Sequence, residues 1–521
     1  MIDLTLLLYL APLLLFAAGV AGRLEPGRFP TGTLFATRAA TLGAFGIAIA
    51  AAVGLAIAGP RTSAVLGIGE VGLALRLDAL SASMFLLVTL VGAIVVEFSR
   101  NYLDGDDRQG AFLGGLCTTV GAVVLLVTAG NLQQLVLAWV GTSLALHQLL
   151  VFYRERPGAR IAARKKFIVA RAGDLCLVGA AILVGSAFGT TEIAGIQEAA
   201  RSAAASGEVP AGVGAAAFLL VIAAALKSAM FPTHGWLLEV METPTPVSAL
   251  LHAGLINAGT FLVARFGDVV LLHSPSLWAL MFIGGFTALF ASTAMVAQNS
   301  VKVSLAYSSA AHMGFMLMLC GLGAYTVAIL HLIAHSFYKA HAFLSSGSVA
   351  EYIRALGGRI RQTQAPSLGG MLLSLACAGA VFLGLGLLLG APLAERPANM
   401  ALGVVFVMAI SQLFAGAFAT VPSATVMVRT VGSALAVALA FFTLEAGAAW
   451  ILAPAVPLPP EATPATGLVI ALVIGAFVFV SVFQARLPAL IDRPFWRGVY
   501  VHLKNGFYAN TLFDRLVGTY R

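Results

Sequence analysis

The chain has 521 residues, 60% of them hydrophobic and only 10% charged, with a formal net charge of +8. Soluble domains carry about a quarter charged residues, so the composition excludes an ordinary soluble enzyme and points to an integral membrane protein of the all-α class. The basic excess sits in short loops between apolar runs, which speaks for membrane orientation and membrane lipids as neighbours, and against nucleic-acid binding.

The first apolar run, residues 4–20, follows Met1-Ile2-Asp3 with no basic stretch before it and no clear cleavage site after it, and is expected to remain as a helix. From there about fifteen apolar stretches recur up to residue 485, each near the roughly 20 residues a bilayer requires, which predicts a polytopic protein with about 13–15 transmembrane helices. Broken helices and inverted repeats are expected of such a protein, although no repeat stands out in the sequence. Basic loops occur at 21–28, 99–108, 153–167 (with Lys165 and Lys166) and 352–362, and again after 485. By the positive-inside rule they face the cytoplasm. An odd number of spans then puts the amino terminus outside and the carboxy terminus inside, in a bacterial inner membrane.

Residues 190–212 are polar and small and predict a short outer helix and loop; residues 452–464 are too Pro-rich for a helix. The division expected is a transmembrane helical domain over 1–485 and a cytoplasmic tail over 486–521. That tail mixes Trp496, Tyr500, Phe507, Tyr508 and Phe513 with basic residues, a pattern suited to a membrane-surface anchor or to docking of a partner. Cys117, Cys176, Cys320 and Cys377 lie far apart in apolar runs without metal-ligand spacing, and the chain carries neither a GxGxxG nor a P-loop motif. No metal or cofactor is expected in this chain, and its energy source is expected to be an ion gradient.

Ionisable residues inside apolar runs are the informative feature, since each costs about 2.5–3.5 kcal/mol to insert at a helix centre. They cluster in three places: "LKSAMFPTHGWLLEVMETPTPVSALLHAG" (226–254) with Lys227, Glu242 and His252; 297–316 with Lys302 and His312; and 331–348 with His331, His335, Lys339 and His341. His331, His335 and Lys339 step by four and form one stripe on a helix, a file of groups able to pass protons if water bridges them. The alternative is that each makes one buried hydrogen bond that only holds helices together. Pro232, Pro244 and Pro246 either separate two spans or break helices at membrane depth. Glu242, ahead of a Pro-rich helix start, could pair with Lys227. Asp174 reads mainly as a local pair with Arg171, and Glu97 with Arg100 in the same way. His147 is a lone histidine in an apolar span.

These stretches, with "QNSVKVSLAYSSAAHMGFM" and "HLIAHSFYKAHAFL", resemble the proton-translocating membrane subunits of respiratory complex I and of Mrp-type cation/proton antiporters, over residues 75–350. The resemblance implies that Lys227 is the central channel lysine, Glu242 the acid of the motif, and His252, Lys302, His331, His335 and Lys339 members of a polar axis. The chain departs from that pattern at Trp139-Val140, where those subunits carry Trp-Glu, and in the twelfth region, 365–392, which has no lysine for the far half-channel; nor does a long lateral helix follow the last span. A cation/proton antiporter or a complex I-like pumping subunit is therefore the second reading. "YLDGDDRQGAF", "SLALHQLL" with its His147, and "METPTPVSALLHAGLINAGTFL" resemble more narrowly the membrane-subunit family of the DAB inorganic-carbon accumulation system. This implies a transport subunit that is not itself an enzyme. It would conduct protons, with Na+ as the alternative, and work with a large cytoplasmic zinc-binding partner, DabA-like, that hydrates CO2 to bicarbonate. His147 would stand near the missing acid.

Overall fold

The computed structural model describes residues 4–68, 71–355, 367–390, 397–418, 423–457, 464–490 and 493–517. Among them, twelve helices are long and apolar enough to cross a membrane, from Thr5–Leu24 to Gly467–Gln484, and two shorter apolar helices, Val213–Lys227 and Gly403–Phe418, join them. Leu132–Leu150 is long enough but less apolar, because it carries Gln133, Gln134, His147 and Gln148. Each of the fifteen apolar stretches anticipated above is thus a helix, and the chain is a multi-span membrane protein. The short helix expected in 190–212 is Ile193–Ser206. Most of the Pro-rich segment, 458–463, lies outside the described residues.

What the apolar periodicity did not announce is a pair of small antiparallel ladders before the third span. Arg61–Thr62 pairs with Arg76–Leu77, and Leu66–Ile68 with Val71–Leu73. They lead into Asp78, whose carboxylate accepts from the Ser81 amide (2.8 Å) while the Ser81 hydroxyl accepts from the Asp78 amide (2.8 Å), a reciprocal cap on the helix Ala79–Tyr102. The same carboxylate pairs with Arg265, both side chains all but fully buried. One end of the bundle is therefore pinned by a buried ion pair.

Packing within the bundle relies on small residues. Helices Ser274–Val296 and Val301–Gly321 cross at Gly284 and Gly314, where a Cβ on either glycine would lie 2.5–2.6 Å from the other's carbonyl oxygen. Without a hydrophobic driving force in lipid, such close backbone approach supplies the dispersion contact that associates helices. The apolar core runs from Leu8 to Phe343 and on to Ile470, while Ala378, Ile410, Phe414, Ala434 and Ala438 form a separate small cluster between the later helices.

The span 245–265 is broken. Helix Thr245–Ala253 stops at Gly254, a 3-10 turn covers Leu255–Asn257, and helix Ala258–Arg265 resumes. The break costs backbone hydrogen bonds that must be replaced inside the protein. Ser228 Oγ donates to the Ile256 carbonyl (2.9 Å), and Asn257 Nδ2 donates to the Ala253 carbonyl (3.0 Å) and to Ser336 Oγ (2.8 Å). The three prolines sit at helix ends: Pro232 follows Val213–Lys227, and Pro244 and Pro246 open Thr245–Ala253.

Candidate functional site

Helix Leu132–Leu150 begins at Asn131, whose side chain accepts from the Gln134 amide at 2.9 Å. Its three- and four-residue steps bring Trp139, Thr142, Ser143 and Leu146 onto one face. Lys227 is the last residue of Val213–Lys227, where the free carbonyls of the helix terminus favour a cation. Its Nζ donates to the Trp139 carbonyl (3.2 Å) and to Thr142 Oγ1 (3.0 Å), and lies 4.3 Å from the centroid of the Trp139 ring. Asp174, on helix Pro157–Phe188, faces this centre: it couples electrostatically to Lys227 as well as to Arg171, 2.5 Å away. The reading of Asp174 as mainly a local partner of Arg171 is thus widened by the tertiary structure.

A small cavity, with room for a water molecule, opens beside Lys227 and is bounded by Thr142, Ser143, Lys166, Trp236 and Ile256. Leu251 and Leu255 share its wall, and between them in the chain His252 turns to stack on Phe343, with ring centroids 4.3 Å apart. From there the file continues along helix Tyr325–Leu344. His335 packs against His312 (4.9 Å between centroids), and His312 Nδ1 and His331 Nε2 share a hydrogen bond of 2.9 Å. Lys339 Nζ donates to the Leu305 carbonyl at 3.1 Å and lies within electrostatic reach of His252, His312 and His335. Both ring nitrogens of His252 and of His335 are buried without a protein partner. Buried polar atoms are rarely left so, and bridging water would satisfy them.

The structure therefore brings Lys227, His252, His312, His331, His335 and Lys339 into one file, with His252, His335 and Lys339 buried and the other three half-buried. Lys302, His341 and His147 lie apart from it. Lys302 donates to Thr245 Oγ1 (3.0 Å) at the start of the broken span. His341 is exposed on its helix. His147 lies beyond Ser143, against Phe167 at 5.4 Å between centroids, while Lys227 donates to the Trp139 carbonyl and the Thr142 hydroxyl. Glu242 ends the 3-10 turn Val240–Glu242, and its side chain lies outside the described residues, as does the pairing with Lys227 expected of it.

Two buried lysines were misplaced by the sequence reading. Lys165 and Lys166 belong to no loop; both are buried in helix Pro157–Phe188. The signal was available: they run directly into Phe167-Ile168-Val169-Ala170 without a breaker, so the helix extends back through them. Lys165 pairs with Glu239 and with Asp514 of the carboxy-terminal helix Ala509–Val517, and Asn510 joins them, 3.1 Å from Glu239 and 3.3 Å from Lys165. Phe507 packs on Phe290, so this part of the tail turns onto its own chain, while Phe495, Leu512 and Leu516 remain exposed.

The geometry agrees with the comparisons. A family described as NADH:quinone oxidoreductase/Mrp antiporter, TM, matches residues 129–379, and one described as NADH-ubiquinone oxidoreductase (complex I), chain 5 N-terminus, matches 66–113. The chain is 37% identical to NADH-quinone oxidoreductase subunit L of Mycobacterium tuberculosis over 283 residues, 54% of this chain and 44% of that one. In fold it resembles the Mrp complex from Dietzia sp. (TM-score 0.68, 24% identity, 98% of this chain and 59% of that one) and the archaeal membrane-bound sulfane sulfur reductase (TM-score 0.59, 18% identity, 99% of both). It is 41% identical to the probable inorganic carbon transporter subunit DabB of Hydrogenovibrio crunogenus over 290 residues, 56% of this chain and 55% of that one. With the probable inorganic carbon transporter subunit DabB2 of Halothiobacillus neapolitanus it shares 33% identity over 518 residues, 98% of this chain and 93% of the relative. A match of that extent, on a fold built around the Lys227 file, means that the chain belongs to the DabB family of membrane subunits within the NADH:quinone oxidoreductase/Mrp antiporter group.

Proposed function

We propose that this chain is the ion-conducting membrane subunit of an energy-coupled inorganic-carbon uptake complex. Protons, or Na+ in their place, run down their gradient through the file from Lys227 to His331. That flow drives hydration of CO2 to bicarbonate in a large, DabA-like cytoplasmic subunit that holds zinc. The observation that carries the reading is the file itself: in an apolar bundle, where insertion is costly, His252, His335 and Lys339 are buried and Lys227, His312 and His331 half-buried, and both ring nitrogens of His252 and His335 have no protein partner.

Within the file each group has a task set by its surroundings. The Trp139 carbonyl, the Thr142 hydroxyl and the Trp139 ring hold the Lys227 ammonium, and the Arg171–Asp174 pair lies within electrostatic reach of it. An imidazole can accept on one nitrogen and donate from the other, so the His312–His331 contact can pass a proton without moving either ring far. Among the described residues no three His, Cys, Asp or Glu side chains are placed to hold a metal ion, and the proposal assigns the zinc to the partner. The proposed setting is a bacterial inner membrane, with the basic loops and the carboxy terminus in the cytoplasm.

Two experiments test this. Gentle detergent extraction from the native membrane, followed by protein identification and zinc analysis, is expected to yield one large soluble zinc protein with this chain. A set of small hydrophobic subunits without zinc would return the chain to the antiporter and complex I class. Lys227→Ala, at normal abundance, is expected to abolish growth in ambient CO2 while leaving growth at high CO2 intact; unimpaired growth in air would refute the assignment.

A further inference from the structure

Lys166 has no role in the file described above, yet it reaches the same cavity as Lys227. Its side chain is buried, and Nζ donates to the Ser143 carbonyl (2.5 Å) and to Ser143 Oγ (2.8 Å). Lys227 holds the adjacent residue, Thr142, on the same helix. Each ammonium carries three donors and spends two on helix Leu132–Leu150, which leaves each with one N–H beyond these contacts. Both lysines, with Thr142, Ser143 and Ile256, line one cavity with room for a bridging water.

Among the described side chains, the charges facing this pair do not balance two ammonium ions. On the helix of Lys166 itself stand Arg171 and Asp174, paired at 2.5 Å and so largely cancelling each other. On helix Leu132–Leu150 the titratable neighbour of Lys166 is His147, and on Val213–Lys227 it is Lys227. On the following short helix, Gly235–Glu239, Trp236 adds no charge and Glu239 is paired with Lys165. Two like charges in a water-poor cavity disfavour their joint ionisation.

We propose that Lys166 and Lys227 form a coupled pair that holds one proton between them and exchanges it across the shared cavity. Lys166 is thereby a proton-carrying residue of the path. In the exchange one N–H bond breaks on one Nζ and one forms on the other, by way of a bridging water that is regenerated. One positive charge moves and nothing is consumed. The pair rests on the ion-conducting reading given under Proposed function.

The test uses the complete complex, reconstituted into liposomes with an internal pH dye and driven by a K+ diffusion potential. Lys166→Met and Lys166→Arg are compared with wild type and with Lys227→Met. Arginine keeps the charge and can still donate to Ser143, but it does not release its proton at working pH. Both Lys166 variants are expected to lose at least tenfold in proton flux and to fall to the level of Lys227→Met, at normal assembly. A Lys166→Arg complex with more than half the wild-type flux would make Lys166 a fixed charge or an anchor and overturn the pair, with the function standing. A wild-type complex that moves no protons overturns the pair, and one that moves neither protons nor Na+ overturns the function as well. Should Lys166→Arg fail to assemble, Lys166→Gln decides in its place: it is neutral and can still donate to Ser143. Full flux overturns the pair and loss of flux supports it.

Discussion

Removing Lys165 should release the carboxy-terminal helix from the bundle. The Lys165 side chain has 0% exposure, Asp514 5% and Glu239 24%, so one buried ammonium is shared between a buried and a mostly buried carboxylate. Taking away one partner of a buried pair costs about 3–5 kcal/mol, because the charge left behind has lost both its water and its counter-ion. Lys165→Ala strands Asp514 in that way, and if the loss falls on docking of helix Ala509–Val517, its opening equilibrium shifts by roughly a hundred- to several thousand-fold. Asp514→Ala is milder, since Glu239 and Asn510 stay with Lys165; the loss of one charge-assisted hydrogen bond is about 1.5–3 kcal/mol. The double variant Lys165→Met/Asp514→Leu replaces the pair by apolar groups of similar size and should recover much of the loss. Native-state hydrogen exchange over residues 509–517, in detergent or nanodiscs, reads each variant. Unchanged exchange in Lys165→Ala, or a double variant as damaged as the sum of its singles, would refute the buried network as the tail's anchor.

Three further outcomes are expected. Burial by itself would raise the Asp78 carboxyl, but Arg265, Arg76 and the Ser81 amide outweigh it and hold the group well below the usual carboxylate range. Its stabilisation is therefore complete above the unfolded value, near pH ~4, and fades as pH falls through the lower folded value. Thermal unfolding of Asp78→Asn against wild type should show a gap that is constant above that pH and closes in acid; a gap independent of pH would exclude the pair as its source. Gly314→Leu forces a side chain against the Gly284 carbonyl and the Ala288 amide and should destabilise the helix pair by about 1–3 kcal/mol, read as reduced membrane abundance or a lower unfolding temperature. His312→Phe keeps a ring in place but deletes the hydrogen bond to His331, so ion flux should drop at least tenfold at unchanged abundance; retained flux would remove His312 from the path.

The helical, membrane-spanning nature of the chain was legible because it depends on local properties alone. Apolar runs of bilayer length must satisfy their own backbone groups, and a helix does that within the segment. The His331, His335 and Lys339 stripe was legible for a related reason, since spacing along one helix fixes which side chains share a face. Partners across helices were not. Glu242, its neighbour in the motif, is the partner the sequence offers Lys227, but the contacts of its Nζ with Trp139 and Thr142, from a helix more than eighty residues earlier, carry no sequence sign. Lys165 and Lys166 looked like loop charges. Only the packed bundle turns one towards Asp514, some 350 residues later, and the other into the cavity of Lys227. Asp78 and Arg265 carry no sequence sign of each other. The one-dimensional pattern thus determines which segments are helical and which groups are too costly to bury without use. Which charge neutralises which is decided by tertiary structure, because electrostatic pairing depends on distance through space and on the water that packing excludes.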